Sequence, residues 1–183
     1  TIQDQVEKTL IEMNYYEAVK SFILYRNERS KEREVRQKLM GYFPGMEQLN
    51  SIFKEIQKEF SDLTYHLGHL LTKLCAFHKE GMTSKENLGI LIQASVELTT
   101  QEAPAWEMIA ARFLMFQFNM NLKSQLDRCQ IRNLYDKIVY LTGEGLYGSY
   151  ILENYTKQEI DLYEGYLNEE NNKLFNYSGL ELL

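Results

Sequence analysis

The sequence predicts an all-α protein, a multi-helix bundle. Two observations support this fold class. The 183 residues include only two prolines and ten glycines, so few positions break a helix, and Glu, Lys, Leu, Gln and Met, which favour helices, are abundant. Along most of the chain, apolar residues recur every three or four positions, which is the spacing of one face of an α-helix.

Two helices are predicted at the start of the chain, over residues 2–13 and from residue 15 onward. Val6, Leu10 and Met13 share one face of the first helix, and Asn14 marks the break that follows. The second helix continues into a charged run and is expected to end near Leu39. The segment GYFPG at residues 41–45 then places two glycines around a proline, which indicates a turn.

Helical spacing resumes over residues 46–79, and Gly81 closes this stretch. The next segment has the pattern of a capping box: a threonine oxygen and a glutamate carboxylate satisfy backbone amides at the start of a helix. Here the two residues are Thr83 and Glu86. The helix that follows is expected to bury one side, formed by Leu88, Leu91, Ile92, Ser95 and Val96.

The segment LTTQEAPAWEMIAARFLMF, at residues 98–116, predicts a central core helix. Pro104 suits the first helical turn, where its missing N–H has no helical partner, and Glu102 suits the positive end of the helix dipole. The residues expected to face the core follow helical spacing: Trp106, Ile109, Ala110, Phe113, Phe116, Gln117 and Met120.

The last third of the chain predicts two further helices. The first carries Leu134, Ile138 and Leu141 and stops at the glycine-rich TGEGLYG, residues 142–148. A second capping box, TKQE at residues 156–159, opens a helix whose inward residues are expected to be Ile160, Tyr163 and Leu167.

Composition argues against several classes of function. The net charge of −6 gives no broad basic surface for nucleic acid, and the basic run over residues 26–38 is interleaved with glutamates, typical of a solvated helix face. No apolar run reaches the ~18 residues of a membrane span, and no signal sequence is visible, so a cytoplasmic protein is expected. The chain starts at Thr1 without a methionine, which predicts processing or a fragment.

Three groups of residues have some features of a chemical site. Asp62, His66 and His69, at i, i+4 and i+7, lie on one face of the predicted helix and could point a carboxylate and imidazoles at one ion, but three ligands from one helix rarely close around a metal, so no metal site is expected. Gly143, Gly145 and Gly148 form GxGxxG, yet a helix is predicted where a dinucleotide site needs a strand. Cys75 and Cys129 lack metal or disulfide spacing and are expected to be buried or half-buried free thiols.

Several motifs in order carry a family resemblance. ELTTQEAPAWEMIAARFLMF, then LYDKI, a glycine-marked turn, the NYTKQE capping box and LFNYSG resemble the N-terminal helical region of the large (alpha) subunit of class I ribonucleotide reductase. This match is strongest over residues 83–183. VEKTLIEMNYYEAVKSFILYRNER, at residues 6–29, resembles the last two helices of an ATP-cone. The predicted domains are therefore an ATP-cone end at 1–39 and a helical N-terminal domain at 40–183.

The resemblance implies a parent enzyme, ribonucleoside-diphosphate reductase, an oxidoreductase that uses a disulfide as acceptor. It would make deoxyribonucleotides for DNA synthesis by thiyl-radical chemistry, under allosteric regulation by ATP and dATP. The implied partners are the catalytic barrel of the same subunit, a second alpha subunit, and a beta subunit that supplies the metal and the radical. The family's catalytic residues lie in the barrel or tail, so none is expected here, and no cofactor is expected in this chain.

One site residue follows from the resemblance. Thr83 falls where the cone-type fold has a threonine near the effector nucleotide. Asn87 and Met120 depart from the pattern, because a histidine or aspartate and a basic residue are usual at their positions, so a packing and capping role for Thr83 is favoured. An alternative to the reductase is a stand-alone, non-catalytic helical regulatory or interaction protein, because no complete active site is visible in the sequence.

Overall fold

The computed structural model describes residues 1–182, without the side chain of Glu169. These residues form ten α-helices and two short 3-10 helices and contain no strand, which confirms the all-α prediction. The α-helices are α1 (Ile2–Glu12), α2 (Tyr16–Met40), α3 (Leu49–Glu59), α4 (Gly68–Phe77), α5 (Ser84–Glu97), α6 (Trp106–Cys129), α7 (Leu134–Gly143), α8 (Tyr150–Asn154), α9 (Lys157–Glu164) and α10 (Tyr177–Glu181).

The chain divides into two compact units, Thr1–Ala94 and a second unit that begins at Ser95. The division falls within α5 and reflects the density of contacts along the chain. The predicted domain boundary between residues 39 and 40 rests instead on the GYFPG turn and on family resemblance and stays a prediction. The last residue of the range 40–183 lies outside the described residues.

The first two helices form a hairpin, and their limits confirm the predicted pair. Asn14 adopts a left-handed conformation with φ 61° between them. Arg26 of α2 ties the helices together, because its Nη1 donates to carboxylate oxygens of Asp4 and Glu7 at 2.8 and 2.7 Å. At the chain start, Thr1 and Asp4 form a capping box that the sequence reading had not identified.

The second half of α2 packs against α3 and α4, and this packing builds the core of the first unit. Arg36 Nη1 of α2 donates to Gln57 Oε1 of α3 at 2.6 Å. The residues that are almost completely removed from water include Leu39, Phe43, Leu49, Phe53, Ile56, Leu67, Leu70, Leu74, Leu88 and Leu91.

The stretch 46–79 is not one continuous helical pattern, which corrects the sequence reading. Helix α3 ends at Glu59, a 3-10 turn follows at Leu63–Tyr65, and α4 starts only at Gly68. Side chains in the gap bond to nearby backbone amides: Asp62 Oδ1 accepts from the Thr64 N–H at 2.7 Å, and His66 Nδ1 accepts from the Gly68 N–H at 3.1 Å. Such local bonds compete with helical bonding, and here they accompany the break.

Helix α6 is the core of the second unit over its first half. Its buried residues run from Trp106 to Phe116, while Gln117 and Met120 are half-buried rather than fully buried. Helix α10 and the 3-10 helix Glu169–Leu174 contact α6, and Ser178 Oγ donates to Glu107 Oε1 at 2.7 Å. Pro104 lies in the turn before the helix rather than in its first turn, and its carbonyl accepts from the Glu107 N–H at 3.1 Å.

Helix α7 contacts α8 and α9. The second predicted capping box is confirmed, because Thr156 Oγ1 and the Glu159 carboxylate each bond to the other residue's backbone amide. Within α9 only Ile160 is buried. Tyr163 is 59% exposed and Leu167, beyond the end of the helix, is 67% exposed, so the prediction that both point inward is wrong.

Candidate functional site at the start of helix α5

Thr83 starts α5 as the predicted capping box requires. Its backbone N–H donates to Glu86 Oε2 at 2.7 Å, its hydroxyl donates to the same oxygen at 2.8 Å, and its Oγ1 accepts from the Glu86 N–H at 3.3 Å. Two hydrogen bonds from Thr83 hold the pKa of Glu86 below its usual range, with the larger effect from the backbone N–H and the smaller one from the hydroxyl. A carboxylate therefore occupies the positive end of α5, where anions are favoured.

One turn farther along α5, Asn87 is 2% exposed and is bonded through both ends of its side-chain amide. Its Nδ2 donates to the Tyr42 carbonyl at 3.0 Å, and its Oδ1 lies 2.8 Å from His78 Nδ1. Because Oδ1 is an acceptor, His78 Nδ1 must carry the hydrogen of this bond. The buried amide thus joins three segments: the turn after α2, the end of α4 and α5.

Tyr42 lies against two other polar side chains of this cluster. Its ring meets the ring of His78 edge to face, with centroids 4.9 Å apart, and its hydroxyl lies 3.2 Å from Cys75 Sγ. The hydrogen bond with Cys75 and, second, burial raise the pKa of Tyr42 above its usual range. Tyr42 therefore stays protonated over the physiological pH range.

A second hydrogen bond attaches the turn at residues 41–45 to α5. Ser84 Oγ donates to the Pro44 carbonyl at 2.9 Å. Next to it, Phe43 is 1% exposed and lies beside Phe53, with ring centroids 6.4 Å apart. We call this set the α2–α5 joint: Tyr42, Pro44, Ser84 and Asn87. Its hydrogen bonds and the buried Phe43 fix the end of α2 relative to the start of α5.

The structure shows the surroundings of the three residues that the family resemblance relates to nucleotide binding. The Thr83 hydroxyl is engaged with Glu86, and both amide atoms of Asn87 are engaged with Tyr42 and His78. Met120 is half-buried on α6. Nucleotide binding by Thr83 stays a prediction. His78 and Tyr42 were not singled out from the sequence, because nothing in their spacing signals that they meet Asn87.

The metal candidates do not share a helix face. Asp62 and His66 lie in the break between α3 and α4, where each is extended and accepts a local backbone N–H. Hydrogen bonds from Thr64 lower the pKa of Asp62, as expected for a capping carboxylate. Within residues 1–182 no group of three or more His, Cys, Asp or Glu side chains is arranged to hold a metal ion.

The glycine-rich loop follows a helix. Gly143 is the last residue of α7 and Gly145 has φ +72°, so these glycines end a helix rather than follow a strand. Cys75 and Cys129 are free thiols as predicted, but both are exposed rather than buried or half-buried. Cys75 directly follows Leu74, one of the two buried residues of α4, and Cys129 is the last residue of α6.

None of the helices in the described part of the chain is long and apolar enough to cross a membrane.

No protein-family model matches the sequence. Comparison with curated proteins finds a ribonucleoside-diphosphate reductase subunit alpha of Treponema pallidum, 44% identical over 182 residues, which is 100% of this chain and 21% of that protein.

Two other relatives carry similar names. A ribonucleoside-diphosphate reductase subunit alpha of Enterobacteria phage T4 is 29% identical over 110 residues, 60% of this chain and 14% of that protein. Ribonucleoside-diphosphate reductase 1 subunit alpha of Escherichia coli is 24% identical over 104 residues, 57% of this chain and 13% of that protein. The chain therefore spans about a fifth or less of the length of the relatives it matches.

Proposed function

Because this chain belongs by sequence to the family of ribonucleoside-diphosphate reductase alpha subunits, we propose that it forms the N-terminal regulatory and structural part of such a subunit. The observation that carries the proposal is the 44% identity to one such subunit across the whole chain. The order of the motifs at residues 97–116, 134–138 and 154–179 points to the same family.

The full-length polypeptide would reduce ribonucleoside diphosphates to deoxyribonucleotides by thiyl-radical chemistry, as the family resemblance implies. A beta subunit would supply the metal and the radical, ATP and dATP would act as effectors, and alpha subunits would associate with each other. In this proposal the catalytic groups belong to the barrel, and the protein works in the cytoplasm.

The part played by this chain would be mechanical coupling. We assign α1 and most of α2, residues 1–39, to the end of an ATP-cone, and the α2–α5 joint lies directly after them. Two hydrogen bonds, from Ser84 to Pro44 and from Asn87 to Tyr42, hold the turn after α2 on α5. A shift of α2 on effector binding would be passed to α5, because packed elements move as units rather than deform continuously.

The activity is tested with the full-length polypeptide and its beta subunit. The assay follows conversion of a ribonucleoside diphosphate to its deoxy form in the presence of a dithiol reductant. Product formation that requires both subunits supports the proposal. A full-length polypeptide that binds the beta subunit and yields no product under any effector would contradict it.

Coupling is tested separately with Ser84→Ala in the full-length subunit. Removing one hydrogen bond of the joint is expected to reduce the ratio of activities measured with ATP and with dATP by about twofold or more, while substrate turnover without effector persists. Thr72→Ala is the matched control, because the Thr72 hydroxyl donates within its own helix α4, to the Gly68 carbonyl at 2.9 Å. An unchanged effector ratio in Ser84→Ala would count against the joint as the coupling element.

Thr156 provides a matched control for testing whether Thr83 contributes to nucleotide binding. Thr83 and Thr156 both open a helix through a capping box, so changing either to alanine removes the same kind of cap. Because a capping role for Thr83 is favoured, the two variants are expected to bind ATP with equal affinity in the full-length subunit, measured by isothermal titration calorimetry. Weaker ATP binding in Thr83→Ala alone would instead support a position of Thr83 near the effector nucleotide.

A further inference from the structure

A groove in the second unit lies between the last turns of α6 and helix α7. Its α6 wall is formed by Leu122, Gln125, Leu126 and Cys129, which follow i, i+3, i+4, i+7 spacing. Its α7 wall is formed by Lys137, Tyr140 and Leu141, spaced i, i+3, i+4. Ile131, in the turn that joins the helices, also lines it. Each wall is therefore one ridged helix face.

The groove is apolar and open to solvent. It holds about 420 Å³, which lies within the ~300–1,000 Å³ typical of binding sites. Leu122 on one wall is 41% exposed and Tyr140 on the other is 39% exposed. Elsewhere on α7, Leu134 and Ile138 line a separate pocket with Ile160 of α9. Among the described residues, the chain thus covers another part of α7, whereas the groove keeps Leu122 and Tyr140 exposed and Leu126, Ile131 and Leu141 half-buried.

The charges of the groove have one sign. Arg128 lies on the α6 side and Lys137 on the α7 side, and no aspartate or glutamate is among the residues that line it. Arg128 Nε donates to the Ser124 carbonyl at 3.3 Å, which anchors the guanidinium on its own helix. Tyr140 of α7 and Cys129 of α6 form a hydrogen bond between the two walls, and this bond, ahead of the nearby Glu144 carboxylate, raises the pKa of Tyr140 above its usual range. Glu144 itself does not line the groove. In a chain of net charge −6, two cations on opposite sides of an apolar floor favour an acidic occupant.

We propose that this groove binds an amphipathic α-helix of a partner polypeptide, with an apolar stripe flanked by carboxylates. Two helix faces with i, i+3, i+4 ridges form the kind of notch into which the ridge of a third helix packs. The leucines of the occupant contact Leu122, Leu126 and Tyr140. Its carboxylates on either side of the stripe meet Arg128 and Lys137. This binding site is additional to the proposed coupling role of the α2–α5 joint.

The test uses the full-length polypeptide and a labelled synthetic peptide of about four helical turns. The peptide carries leucines at i, i+3, i+4 and i+7 with flanking glutamates, and its matched control has lysines in place of the glutamates. Fluorescence anisotropy at low salt is expected to show binding of the glutamate peptide at least tenfold tighter than the lysine peptide.

Substitutions in and beside the groove test whether the peptide binds there. Arg128→Glu combined with Lys137→Glu is expected to weaken binding of the glutamate peptide about tenfold. The control is Lys123→Glu, which reverses a charge on the same helix at an exposed position that does not line the groove. Leu122→Asn removes an apolar contact without adding charge and is expected to weaken binding of both peptides, and circular dichroism checks that each variant keeps its helical content.

Three results would overturn the proposal. Failure of the full-length polypeptide to bind the glutamate peptide would mean that the rest of the subunit covers the groove. Equal binding of the two peptides, or an equal effect of Lys123→Glu, would remove the charge assignment. Loss of peptide binding as the polypeptide self-associates, restored by dilution, would identify a second copy of the chain as the occupant.

Discussion

The buried amide of Asn87 provides the sharpest test of how the first unit is held together. Asn87→Leu keeps a side chain of similar size and removes both hydrogen bonds, to the Tyr42 carbonyl and to His78 Nδ1. Because Asn87 is 2% exposed, water cannot take the place of the amide without some rearrangement. The substitution therefore isolates the contribution of polar bonding from that of packing.

The expected loss is about 2 kcal/mol of unfolding free energy. Two hydrogen bonds contribute ~1 kcal/mol each, and the unpaired Tyr42 carbonyl adds a desolvation cost of ~1 kcal/mol or more. Tyr42 and His78 are half-buried, so partial access to water keeps this cost at the low end. The buried leucine offsets part of the loss through its apolar surface.

Urea unfolding followed by far-ultraviolet circular dichroism measures the difference by linear extrapolation. With a slope of ~2 kcal/mol/M, a loss of about 2 kcal/mol lowers the midpoint by about 1 M. The control is Asn119→Leu on the exposed side of α6, which is expected to change stability by less than ~0.5 kcal/mol. A loss below ~0.5 kcal/mol in Asn87→Leu would refute the view that its amide stabilises the joint.

Two further predictions follow from local geometry. Gly81 has φ +88°, so Gly81→Ala is expected to lower the free energy of unfolding by about 1–2 kcal/mol. Gly89 lies inside α5 and an added Cβ meets open space, so Gly89→Ala is expected to raise the free energy of unfolding by about 0.5–1 kcal/mol. Shifts of the same sign in the thermal unfolding of the two variants would contradict this. The hydrogen bond to Glu181 and, second, burial raise the pKa of Tyr177 to about 12 from the ordinary 10.0. The stabilisation from this tyrosine is thus complete below pH 10.0 and lost as pH rises through about 12. The pKa of Tyr177 is measured as the difference between near-ultraviolet pH titrations of the wild type and of Tyr177→Phe. A Tyr177 phenol that titrates near 10.0 would contradict the prediction.

Much of the helical layout was predictable because its causes are local. Apolar spacing marked α1, α2 and α6, and threonine–glutamate pairs marked the starts of α5 and α9. Capping boxes and 3.6-residue periodicity depend on residues a few positions apart, so they are readable without knowledge of the rest of the fold. The break between α3 and α4 was not predicted, although the bonds of Asp62 and His66 to nearby backbone amides that accompany it are also local.

The sequence by itself determined the all-α class, most helix starts and the family resemblance. Only the tertiary structure decided what lies beside Asn87, because Tyr42 and His78 are 45 and 9 positions away and no pattern links them. It also decided that Tyr163 and Leu167 stay exposed and that α6 and α7 form an open groove. The physical reason is that periodicity says which residues share a helix face, whereas burial depends on which other elements pack against that face.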